Sequence, residues 1–276
     1  MRNTNFLIMS FLSFIASSFL ASCQMYDKVP SLIEDSKGIP MVLVPKGEFY
    51  FGIQENFENQ DKQYLVALDA FYIDQYEITN ANYIVCVKDG NCTPPIENSS
   101  FIQSNYYENP LFSNYPVTYI TWYDAKAYCE WRDARLPTEA EWEKAARGED
   151  QRIYPWGNTL SCEFANYGEV KEGCFPSPGT TPVGSFPKGQ SPYGVYDLVG
   201  NVQEWVADCY MGTPDNYLEK ETRNPYAPEL LECNRVVHGG AFFMFGSAYA
   251  PISVRLGIPP EQANPTIGFR CAKTLK

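Results

Sequence analysis

Residues 191–205 read SPYGVYDLVGNVQEW. Pro192 and Gly194 are turn formers, a short apolar run follows, and Asp197, Gly200, Asn201 and Glu204 then arrive among side chains of the buried type. A loop rich in oxygen that folds back at Gly200, with a carboxylate at each end, suits a hard cation such as calcium. That ion collects about 6–8 oxygens from carboxylates and main-chain carbonyls. Asp, Asn and Gly also gather in ordinary turns for reasons of backbone geometry. The residues alone therefore leave both a polar turn and a cation loop open.

Before this stretch the chain carries its helices. Thr121 with Asp124, and Thr138 with Glu141, stand three residues apart as capping boxes. The first opens a helix that turns Trp122, Ala125 and Cys129 inward, and the second a helix over Glu139–Arg147 that Gly148 ends. Thr79-Asn80 offers cap oxygens to a shorter helix over Ala81–Val87. Alternation around Lys46-Gly47 predicts a hairpin over Met41–Phe51, and Leu65–Ile73 repeats the strand pattern. After Gly148 only short apolar runs separated by Gly, Pro and Asn remain. The expected class is α+β, two main helices against loop-rich antiparallel sheet.

The phrase YGVYDLVGNVQEW resembles the central motif of the formylglycine-generating enzyme (sulfatase-modifying factor) family, and further phrases of that family stand in order around it. They are MVLVPKGEFYFG from Met41, YEITNANY from Tyr76, PVTYITWYDAKAYCEW from Pro116, RLPTEAEWEKAARG from Arg135, YPWGN from Tyr154, TTPVGSFP from Thr180, RVVHGGAF from Arg235 and GFRCA from Gly268. The resemblance covers nearly everything after residue 40 and implies a variant of the C-type-lectin-like fold. It also implies ligands for a structural calcium ion: the side chains of Asp197 and Glu204 and the carbonyls of Gly200 and Val202. A second family site would begin at Asn166 and Tyr167, although its expected acidic residue does not align cleanly with Glu172 or Phe175.

The front of the chain has a different composition. Arg2, the apolar run Phe6–Leu20 and the order Leu20-Ala21-Ser22-Cys23 match a bacterial lipoprotein signal. Residues 1–22 are then removed, Cys23 is lipidated, 23–40 form a polar tether, and 41–276 form one domain. An uncleaved anchor is the alternative, but the run is broken by Ser10, Ser13, Ser17 and Ser18 and falls short of the ~20 apolar residues of a bilayer span. Gln24 is not the Asp that retains a lipoprotein at the inner membrane, which places the chain at the outer membrane, on its periplasmic or surface face. The formal net charge of −12 argues against nucleic acid as a partner.

Nine cysteines less Cys23 leave eight, and in an exported chain an even number reads as a disulfide framework. Spacing suggests Cys86 with Cys92, Cys162 with Cys174, and Cys209 with Cys233. The remaining Cys129 and Cys271 lie in AYCEW and GFRCA, where the resemblance implies a bridge from helix to final strand.

The family's oxidase chemistry requires two cysteines after a Gly-Gly turn, which hold copper and engage a substrate cysteine. Here the segment from Gly239 reads GGAFFMFGSAYAPISVR, and those two positions are Met244 and Tyr249. One thioether does not replace two thiolates, so copper is not expected and no catalytic residue is assigned. The related three-histidine iron site is excluded by count, because His238 is the single histidine. Beside Gly239-Gly240 it reads as a structural hydrogen-bonding residue, and Glu139 and Glu141 as first-turn carboxylates that favour the helix dipole. Phe243, Met244, Phe245 and Tyr249 remain as an aromatic ligand surface or as core. Two classes of function are left, a non-catalytic envelope module for a protein, peptide or glycan ligand, and an unorthodox oxidase.

Overall fold

The computed structural model describes residues 31–52, 63–168, 179–212, 218, 222–227, 232–243 and 250–275. Cys23, Cys174, Met244, Phe245 and Tyr249 lie outside them. Among the described residues ten strands and three α-helices form the framework, in the order β1 (Leu32–Glu34), β2 (Pro40–Val44), β3 (Gly47–Phe51), β4 (Tyr64–Leu68), β5 (Phe71–Asp74), α1 (Asn80–Lys88), α2 (Trp122–Trp131), α3 (Glu139–Arg147), β6 (Gln203–Cys209), β7 (Arg235–His238), β8 (Arg255–Ile258), β9 (Ile267–Phe269) and β10 (Ala272–Thr274). One sheet runs β1-β2-β5-β10, all antiparallel, a second is the pair β3-β4, and a third runs β8-β7-β6-β9 with β6 and β9 parallel. No described helix is long and apolar enough to cross a membrane.

All three helices begin at the expected threonines. Thr79, Thr121 and Thr138 each hold extended backbone and accept the N3 amide, and the N3 side chain returns to the cap amide. Two orphan donors are satisfied reciprocally at each start. The inward face of α2 brings Tyr128 and Cys129 against Tyr83 of α1, Trp205 of β6 and Phe269 of β9. Trp142, Ala145 and Ala146 of α3 pack with Phe49, Phe51 and Val66 of the β3-β4 pair. Bridges Cys86–Cys92, Cys129–Cys271 and Cys209–Cys233 are present. Cys162 is also disulfide-bonded, and its expected partner Cys174 is outside the described residues.

Two expectations are corrected. Met41–Phe51 is not a hairpin: β2 pairs with β1 and β5, whereas β3, among the described residues, pairs with β4 alone. The two residues between them are Pro45 and Lys46, and proline, fixed near φ −65°, cannot take the positive φ that a tight hairpin loop requires. Lys144 of α3 holds the connection instead, its Nζ donating to Pro45 O at 2.8 Å and Gly47 O at 2.9 Å.

The tether does not reach residue 40. Leu32–Glu34 pair with β2, Ile39 lies in the core, and Asp35 accepts from Arg132 Nε at 2.7 Å. The guanidinium of Arg132 also grips both oxygens of Asp74, at 2.7 and 2.8 Å, and none of the three side chains is appreciably exposed. Asp35 makes the segment polar in composition, yet it is one of two carboxylates on a buried guanidinium, which composition cannot reveal.

Candidate functional site

Three residues of the opening loop adopt positive φ without being forced into error: Asp197 at 59°, Gly200 at 77° and Asn201 at 56°. Asp and Asn tolerate the left-handed region better than other non-glycine residues. Gly200 is required for a second reason, since a Cβ there would lie 2.1 Å from the carbonyl oxygen of Asn166. The loop thus closes on Asn166, whose carbonyl accepts from Asn201 N at 2.8 Å.

Inside this turn the polar groups form one network. Glu77, which precedes α1 and is wholly buried, accepts from Asn201 Nδ2 at 2.5 Å and from Val202 N at 3.2 Å. Asp197 accepts from Gly184 N at 2.6 Å. Glu204, at the start of β6, accepts twice from Arg270, at 2.6 and 2.7 Å, and from Trp142 Nε1 at 2.8 Å. Arg270 also donates to the carbonyls of Asp74 and Tyr196. Burial pushes the Glu77 carboxyl well above the usual range, with Asp197 and Glu204 adding to the rise and Arg270 opposing it. Burial likewise lifts Asp197 to about 6, against the Gly184 amide and Arg270.

Three carboxylates therefore lie in the field of one guanidinium, which among them bonds Glu204 alone, and the excess of negative charge suits a cation. A carboxylate has about four lone-pair sites. Glu204 uses three of them, which leaves one on Oε1. Among the described residues no three His, Cys, Asp or Glu side chains converge as a metal-ligand group. An ion held by Asp197 and Glu204 would rely on the carbonyls of Gly200 and Val202, a mixture calcium accepts and zinc does not. Asn166 and Tyr167 are both buried, and Asn166 is committed to the loop, its Nδ2 donating to Gly179 O at 3.1 Å and Asn201 Oδ1 at 3.3 Å.

The same loop positions the aromatic segment. Gly200 N donates to Gly239 O at 2.7 Å, and Phe242 N donates to Asn201 O at 3.1 Å. Phe242 is buried, whereas Phe243 is 47% exposed and stacks on Phe101 with ring centroids 5.6 Å apart. Phe101 and Ile102 are themselves 57% and 49% exposed. An apolar patch thus stands in solvent on the turn that holds the acidic network. Of the expected ligand residues, Phe243 is there. Phe101 and Ile102 were not anticipated, although an isolated apolar pair in the Ser/Asn-rich stretch 98–105 was a visible signal.

His238 has the expected structural role. It is buried, stacks on Trp142 at 4.7 Å, and its ring nitrogens meet Ile252 O at 3.2 Å and Glu139 Oε1 at 3.0 Å. Glu139 stands in the first turn of α3 as expected. It is fully buried and also accepts from Arg255 Nη2 at 2.8 Å, while Glu141 keeps the capping role and pairs with Arg135. Behind Glu139, Asp208 of β6 accepts from the amides of Glu139 and Ala227. Burial first, and then Glu139, raise Asp208 to about 8.

Residues 30–275 match the Sulfatase-modifying factor enzyme 1-like domain, and the chain belongs to that family. It is 32% identical to mouse formylglycine-generating enzyme over 283 residues, covering 84% of this chain and 74% of that protein. It is 39% identical over 171 residues to the bovine inactive C-alpha-formylglycine-generating enzyme 2, covering 57% of this chain and 50% of that one. PvdO from Pseudomonas aeruginosa has the same fold, with a TM-score of 0.73, 23% identity, and coverage of 90% of this chain and 100% of that one. The architecture is the mixed α+β, C-type-lectin-like fold of the formylglycine-generating enzyme type.

Proposed function

We propose that this chain is a lipid-anchored envelope protein whose formylglycine-generating-enzyme-like domain is non-catalytic and binds a ligand. One observation carries the reading. Every described cysteine, from Cys86 to Cys271, is tied in a disulfide, and the two positions where the family's chemistry needs thiols are Met244 and Tyr249. The family's copper site needs two thiolates, and a thioether at Met244 with a phenol at Tyr249 does not supply them. The patch of Phe101, Ile102 and Phe243 supports ligand binding, since exposed aromatic rings give large contact area at low entropic cost. We further propose that calcium braces the loop beneath it through Asp197, Glu204 and the Gly200 and Val202 carbonyls.

The anchor rests on the Leu20-Ala21-Ser22-Cys23 box. The ligand is an envelope protein, a peptide or a glycan, and the bacterial outer membrane is the address the sorting residue Gln24 favours. A second reading, an oxidase with unorthodox ligands, draws on the 32% identity to mouse formylglycine-generating enzyme.

One experiment separates them. Native mature protein is treated with a thiol-specific maleimide and, in parallel, loaded with copper and incubated with a CxPxR peptide. No labelling and no aldehyde in the mass spectrum are expected. A labelled thiol together with multiple-turnover formation of formylglycine would overturn the non-catalytic reading.

A further inference from the structure

The point where the chain joins the fold decides how an anchored domain can face its membrane. We infer that the end of the domain bearing β1 is held toward the bilayer and that the opposite end cannot be turned to it. This rests on the anchor reading above.

If the tether ran to residue 40, the 18 residues from Cys23 would span at most about 59–65 Å. A folded unit of this length has a radius of gyration near 18 Å and is about 45 Å across. Such a tether exceeds the diameter of the domain and would let it present any face to the lipid. The structure removes that freedom. Ser31 O already accepts from Leu43 N at 2.9 Å, Leu32–Glu34 are paired into the sheet, and Asp35 is locked on Arg132. Eight residues, 23–30, are left, and whatever conformation they adopt they span at most about 26–29 Å. That is less than the diameter.

The attachment is not a strand end that peels away. Peeling it would strip Arg132 of one of its two carboxylate partners inside the core and expose Ile39. Lys37 pairs with Asp89 at the end of α1, at 3.4 Å, and lies over the Trp131 ring at 3.9 Å. Lys37 is thus already engaged with a carboxylate and a ring, and the length of the tether sets the orientation. A partner must accordingly be met by the sides or the far end of the domain.

The full lipidated chain, carrying a donor dye on Lys37→Cys, is reconstituted in phosphatidylethanolamine–phosphatidylglycerol vesicles with a headgroup acceptor. It is compared with the same chain carrying a 20-residue Gly-Ser insert after Gln24. Strong energy transfer with the native tether, falling at least two-fold with the insert, is the expected result. Equal transfer from the two lipidated chains overturns the inference while leaving the anchor intact. Absence of the lipid mass on Cys23 overturns the anchor and the inference with it.

Discussion

Glu204 and Arg270 are joined twice, Nη2 to Oε1 at 2.6 Å and Nε to Oε2 at 2.7 Å, with neither side chain exposed to solvent. The pair ties the start of β6 to the segment following β9, across 66 residues of sequence. Taking one member away leaves the other as an uncompensated charge in the core, typically at a cost of about 3–5 kcal/mol. Glu204→Gln should therefore lower the urea midpoint substantially, in calcium and in chelator alike.

The calcium proposal needs a variant that spares that pair, and Asp197→Asn is suitable. Its carboxylate accepts a loop amide and is not bonded to Arg270. An ion that binds only the folded state stabilises it by RT ln(1 + [L]/Kd), about 2.7 kcal/mol at 100-fold excess over Kd. Wild type should melt several degrees higher with calcium than with EDTA, and Asp197→Asn should lose that difference. If wild type melts at one temperature in both and no calcium copurifies, the loop is a polar turn.

Arg132→Met should cost about 3–5 kcal/mol, because Asp35 and Asp74 would keep their burial and lose their cation. Asp35→Asn should cost less and act locally, making the chain near Lys37 sensitive to trypsin before the rest unfolds. Equal protease resistance in wild type and variant would show that β1 is held by its strand pairing alone.

Asp208 sets a pH dependence whose sign follows from its environment. Burial beside Glu139 raises it to about 8, against an ordinary value near 3.8. The folded state then binds more protons than the unfolded chain between those values, so the contribution of Asp208 is full below pH ~4 and is lost as pH rises towards 8. Asp208→Asn should flatten the fall in stability over pH 5–8, as followed by denaturant titration at each pH. An unchanged slope would assign the dependence to other groups.

Phe101→Ala and Phe243→Ala should leave the melting temperature nearly unchanged, since both rings are about half exposed. If the patch binds, each should weaken capture of the ligand on a peptide or glycan array by tenfold or more, the scale of an aromatic hot spot. Retained binding in both would move the ligand site elsewhere.

Much of the local structure was written in the sequence. The three threonine caps, the short-range bridge Cys86–Cys92 and the left-handed Asp197, Gly200 and Asn201 each depend on neighbours within a few residues, so residue type and spacing determine them. The quoted motifs likewise carried the family and the fold. What only the tertiary structure decided involves partners far apart in the chain. Glu77 beneath Asn201, Arg270 on Glu204, Asp35 on Arg132 and Phe101 against Phe243 are separated by between 66 and 142 residues. An acidic residue reads the same in sequence whether it faces water or a buried guanidinium. Only folding places the guanidinium, because that placement is set by the packing of sheets and helices around it and not by any local preference of the chain.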